Sequence, residues 1–206
     1  MEETKMNIIK TIKTAAAGAV TYAAATLGIG CSTMPLYDVT NDASLVRFEN
    51  KQNLTDRLNC WHRIDIQSAG NSNFEGFLAR LVPEYDLSKG LSAAGQYVAK
   101  PGEDIARLGL AYGKKIGANK FAKFRLFFPA KKGSTPEINA IFVYNSDNYE
   151  AGVLILYDPE NNTMHGELTA TFGKSNVKPF VQLVGYGPID DLEGKVLIGL
   201  QLRPKK

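Results

Sequence analysis

The chain has 206 residues, 44% of them hydrophobic and 22% charged, with two cysteines, two histidines and a formal net charge of +3. This balance excludes wholesale disorder, a disulfide framework, and most catalytic or metal constellations built on histidine. The length suits one domain, or one domain with an arm.

Residues 1–31 carry Lys5, Lys10 and Lys13 ahead of an Ala-rich run, Ala15–Gly30, that stops at Cys31. Two readings fit. One is a signal peptide with a loose lipoprotein box, Cys31 opening the mature chain of a secreted or lipid-anchored bacterial β-sandwich binding protein. The other is the internal arm of an assembling subunit. The run is too short and too rich in Ala, Thr and Gly for a membrane span. Met34–Asn53 is polar with isolated apolar residues and reads as an extended linker, with Leu45–Phe48 as an edge strand.

Cys60–Gln67 alternates, placing Cys60, His62, Ile64 and Ile66 on one face and Trp61, Arg63, Asp65 and Gln67 on the other. A turn cluster around Gly70 leads to a strand at Phe74–Val82, which Pro83 ends. Glu84–Gly102 reads as loop with one helical turn near Ser92–Val98. Glu103 and Asp104 then suit the positive end of a helix, and Ile105, Leu108, Tyr112 and Ile116 form its stripe until Gly117.

Two strong strands follow, Phe121–Phe128 and Ile138–Tyr144. In the first, Phe124, Leu126 and Phe128 point one way while Lys123, Arg125 and Phe127 point the other. In the second both faces are apolar, which suits the inside of a sandwich. Gly152–Tyr157, Gly166–Phe172, Phe180–Tyr186 and Lys195–Leu202 complete a series of short strands with turn chemistry between them.

Chemical motifs are sparse. There is no Walker loop, dinucleotide fingerprint, CxxC or HExxH. Cys60 and His62 share a strand face, but a buried thiol packed beside Ile64 and Ile66 accounts for Cys60 better than a nucleophile. His165 falls in a turn with no acidic neighbour that the sequence can place. The alternation of Phe121, Phe124, Phe127 and Phe128 assigns them to the core rather than to base stacking. From Lys100 to Lys132 nine basic residues face only Glu103 and Asp104, whereas Asp147–Glu193 holds eight acids against Lys174 and Lys178. The basic cluster is the best polyanion contact, because phosphate neutralisation needs cations at a surface without fixed spacing.

Several segments carry a resemblance. The orders Asn119-x-Phe121-x-Lys123-Phe124-Arg125, Phe127-Phe128-Pro129, Lys132-Gly133-Ser134-Thr135-Pro136 and Ile138-x-Ala140-Ile141-Phe142-x-Tyr144-x-x-Asp147 resemble successive strands of jelly-roll coat proteins of small plant RNA viruses, of the tombusvirus and sobemovirus kind. His62–Pro83 resembles the preceding segment and Gly194–Pro204 the closing strand. The resemblance implies an all-β jelly-roll β-sandwich of about eight strands. One helix, Glu103–Ile116, is inserted, and a flexible N-terminal arm over 1–50 precedes a shell domain over 51–206.

It also implies a non-enzymatic structural capsid protein, located in the virion and, during assembly, the host cytoplasm. Its partners would be copies of itself and viral RNA, with no membrane and no small-molecule substrate. The RNA contacts would be Lys10, Lys13, Lys114, Lys115, Lys120, Lys131 and Lys132. Shell domains of this kind bind Ca²⁺ through Asp residues after this strand; here Asn145 stands at the matching place, so no metal and no cofactor is assigned.

Overall fold

In the computed structural model, residues 32–68 and 74–203 are described, and they form no helix. Twelve antiparallel strands close into one barrel. They are β1 (Ser32–Asp38), β2 (Ala43–Asn53), β3 (Leu58–Ser68), β4 (Phe74–Ser88), β5 (Leu91–Lys100), β6 (Glu103–Lys115), β7 (Lys120–Pro129), β8 (Glu137–Asn145), β9 (Tyr149–Asp158), β10 (Thr163–Phe172), β11 (Val177–Pro188) and β12 (Glu193–Leu202). Each pairs with its sequence neighbours, and β1 pairs with β12 through Thr33↔Leu202 and Leu36↔Gly199. An even number of strands puts Ser32 and Leu202 at one mouth, here called the terminal mouth; the other is the distal mouth.

Closure needs a close approach at the seam. A Cβ on Gly199 would lie 2.1 Å from the Pro35 carbonyl oxygen and 3.0 Å from the Leu36 Cα. Only glycine fits there without moving backbone.

The barrel is inside out. Along β6, Leu108, Leu110 and Tyr112 point outward, whereas Arg107 and Ala111 point inward and are buried. The rule repeats on β7, with Phe124, Leu126 and Phe128 outside and Arg125 and Phe127 inside, and on β11, with Val181 and Leu183 outside and Gln182 inside. An apolar exterior around a polar interior is the pattern of a transmembrane barrel. Strands of ten residues rise roughly 33 Å, and a tilt near 40° leaves about 25 Å along the axis, the height of the apolar band such barrels present.

These observations overturn the jelly-roll sandwich with an inserted helix. The Glu103–Ile116 stripe is β6: its apolar residues satisfy helical spacing by coincidence, while Leu108, Leu110 and Tyr112 alternate with Arg107, Gly109 and Ala111. The Glu84–Gly102 segment is the end of β4 and all of β5. Pro83 does not end β4; its ring packs where a Cβ on Gly95 would lie, 3.3 Å from Pro83 Cγ. Met34–Asn53 is not linker but the body of β1 and β2. The Ala15–Gly30 run lies outside the described residues.

Candidate permeation pathway

The inward side chains do not form one oily core. Met34, Leu36, Leu45, Phe180, Val184 and Leu197 fill the sector behind the β1–β12 seam. Val82, Ala94, Ala111 and Phe127, with Trp61 against them, fill part of the opposite wall. Polar networks occupy the space between.

One network crosses the bore. Arg63 Nη1 on β3 donates to both carboxylate oxygens of Glu167 on β10, at 2.8 Å each. Arg63 also holds Asp65, with Nη2 2.7 Å from Oδ2, and Asp65 accepts from Arg47 Nε at 2.8 Å. Arg47 Nη1 donates to Gln182 Oε1 at 2.9 Å, and Gln182 Nε2 returns to Glu167 Oε2 at 2.7 Å. The five side chains thus close a ring drawn from β2, β3, β10 and β11. His165, on β10 rather than in a turn, brings Nε2 to 2.8 Å from Glu167 Oε1.

A second network lies on the far wall. Arg107 donates to Gln96 Oε1 and to Glu137 Oε2, and Gln96 donates to Glu137 Oε1. Nearer the terminal mouth, Glu84 accepts from Lys123 and from Arg125 Nε at 2.7 Å. Glu150 pairs with Arg203 and Lys178.

Two cavities among the described residues lie within the bore. One, of about 630 Å³, reaches towards the distal mouth past Lys100, Asp158, Gly187 and Lys195. The other, of about 560 Å³, reaches towards the terminal mouth past Lys51, Asn59, Asn145 and Arg203. Four residues line both, Arg63, Arg80, Leu156 and Glu167, and mark the waist. Ten cations line the two cavities (Arg47, Lys51, Arg63, Arg80, Lys100, Arg107, Lys123, Arg125, Lys195 and Arg203) against seven carboxylates (Glu49, Asp65, Glu84, Glu137, Glu150, Asp158 and Glu167). Arg80 makes no contact ion pair among the described residues, and its Nε is buried without a hydrogen-bond partner. Its charged surroundings are mixed, Glu137 and Glu167 on one side of the balance and Arg63 and Arg107 on the other.

The lysines expected to contact RNA are not brought together. Lys114 and Lys115 end β6 and Lys120 opens β7, all at the terminal mouth, whereas Lys131 and Lys132 sit in the β7–β8 turn at the distal mouth. Lys131 stands 3.6 Å from Asp104. Lys10 and Lys13 lie outside the described residues. Phe124 and Phe128 are exposed on the outer wall, while Phe127 is the fully buried one. Cys60 is a buried free thiol. Of the ring across the bore, Arg63 and Asp65 were visible in sequence as the polar face of Cys60–Gln67; Glu167 and Gln182 carried no signal, because they lie 104 residues from Arg63 and 135 from Arg47.

No family model and no curated protein matches this sequence. Solved structures do match. A KdgM porin superposes with a TM-score of 0.58 at 11% identity, over 86% of this chain and 100% of that one. A KdgM porin in complex with disordered oligogalacturonate gives 0.57 at 11% identity over the same shares. A NanC porin gives 0.58 at 8% identity, over 84% of this chain and all of the other. At such identity the likeness establishes the fold. It overturns the capsid reading, with its RNA partner, its virion location and its exclusion of a membrane, and it gives no support to the β-sandwich binding protein. The chain has the fold of these porins: a closed, twelve-stranded, antiparallel barrel.

Proposed function

We propose that the chain is a bacterial outer-membrane channel that passes small acidic solutes. It lets solute through and catalyses no reaction. The observation that carries this reading is Arg80, a half-buried arginine at the waist of a polar bore whose Nε is buried without a hydrogen-bond partner and which meets no carboxylate among the described residues. A permeating anion supplies the missing partner, and an excess of cations along both cavities draws it there. Aqueous solute on the inner wall and lipid on the outer one also account for the inverted pattern of polar and apolar residues. One KdgM porin neighbour is in complex with disordered oligogalacturonate, and the charge excess here suits a polycarboxylate of that kind.

The test is reconstitution into planar bilayers under a KCl gradient. The reversal potential should report anions passing in preference to cations, and Arg80→Gln should reduce that preference several-fold. A cation-selective pore sinks the reading, and so does an inserted barrel that passes no current either alone or with a small polycarboxylate such as citrate present.

A further inference from the structure

We propose that Glu167 is a tethered carboxylate that occupies the anion site of the waist and bars the bore, and that a solute carboxylate opens the passage by displacing it from Arg63. The proposal rests on the channel reading above and adds how that channel is closed and what opens it.

The geometry places the bar across the bore rather than along its wall. Around the ring of twelve strands, β3 and β10 stand five steps apart by the shorter way, through β2, β1, β12 and β11. Strands spaced about 4.8 Å and tilted near 40° give a circular barrel a backbone diameter of roughly 24 Å. An arginine, a glutamate and the bond between them span roughly 15 Å from Cα to Cα. Opposite walls bridged at 2.8 Å must therefore be drawn together at this level. The barrel is pinched where Arg63 meets Glu167.

Among the described residues, the side of the bar towards the seam is packed with apolar side chains, Leu45, Phe180 and Leu197 among them. In front of the bar lie Arg80 and Leu156, the other two residues common to both cavities. A solute moving from one cavity to the other passes between the bar and these two side chains.

Stability does not explain the bar. The backbone ladders hold the barrel closed on their own, and buried ion pairs seldom add net stability once desolvation is counted. The bond is also built for exchange. Arg63 keeps Asp65 when Glu167 leaves, and Glu167 keeps Gln182 and His165, so neither charge is stranded. An incoming carboxylate finds two guanidiniums at one level, Arg63 held by Glu167 and Arg80 without a contact partner. Binding between them replaces one Arg–carboxylate bond by another and lets the walls part.

The experiment is single-channel recording of the full chain in planar bilayers, with insertion checked by the heat-modifiable electrophoretic shift of a folded barrel. Glu167→Gln preserves volume, so any rise in current reports the broken charge pair and not added room. Its conductance or open probability should rise roughly threefold or more, and Arg63→Gln should do the same. A measurement on the unaltered protein needs no variant to fold: millimolar citrate, a small tricarboxylate, should raise the open probability, and should lose that effect in Glu167→Gln. If the unaltered protein conducts, but equally to Glu167→Gln, or if citrate only blocks it, the tethered gate is wrong while the channel stands. If neither the unaltered protein nor the variants conduct after verified insertion, the channel reading fails and takes the gate with it.

Discussion

Leu108 is the most exposed large apolar side chain among the described residues, 65% open on the outer face of β6. In a protein surrounded by water, replacing it by arginine changes stability by no more than about 0.5 kcal/mol. In a bilayer the same replacement is costly. A leucine exposes roughly 180 Å² when free, so about 115 Å² of apolar surface meets lipid, worth about 3 kcal/mol at ~25 cal/mol per Å². Leu108 lies midway along the outward row Asp104–Ala106–Leu108–Leu110–Tyr112–Lys114, where an arginine adds about 2–4 kcal/mol. The sum is roughly 5–7 kcal/mol, an upper figure because arginine can reach back to the headgroups. Tyr112→Arg, one outward position from Lys114 and close to the mouth, should cost about 1 kcal/mol or less for the arginine itself. The assay is reversible urea unfolding in phosphatidylcholine vesicles, followed by fluorescence of Trp61, the single tryptophan. Equal stability for Leu108→Arg and the parent would refute a lipid-facing β6 and with it the inside-out barrel.

Two further outcomes follow from the closed wall. Gly199→Val should abolish assembly of the barrel, because its Cβ would meet the Pro35 carbonyl oxygen at 2.1 Å across the seam; a normal heat-modifiable band for that variant would show that β1 and β12 are not paired in this register. Trp61 lines the cavity near the terminal mouth and donates to Glu49 at 3.0 Å, so in vesicles its fluorescence should yield to a small aqueous quencher and resist brominated acyl chains, and the reverse ranking would turn β3 around.

What the sequence alone determined was where β3, β7, β8 and the strands after them run and which of their residues share a face; β1, β2, β5 and β6 it read as linker, loop and helix. β7 and β8 lie where alternation places them, Phe124, Leu126 and Phe128 opposite Lys123 and Arg125, and β3 divides as its pattern says, with Arg63 and Asp65 together. Alternation states that two faces differ; it does not state which of them water meets. A sandwich strand and a lipid-facing barrel strand have the same period of two, and β8 confounds them further, because its inward Ile141 and Val143 help fill a bore narrower than that of a wide porin. On β6 the outward Leu108, Leu110 and Tyr112 also satisfied helical spacing together with Ile105 and Ile116, and no local signal separates the two periods.

Tertiary structure decided the rest. Closure of β1 on β12, more than 150 residues apart, turned the apolar faces outward and enclosed the arginines. The waist exists only because that closure brings Arg63 to Glu167 and Arg47 to Gln182 across the lumen. In sequence these are ordinary polar residues on polar strand faces. They become a site when twelve strands form a ring, because inward side chains from strands far apart in sequence then share one confined bore, where charge-assisted hydrogen bonds across it are strong.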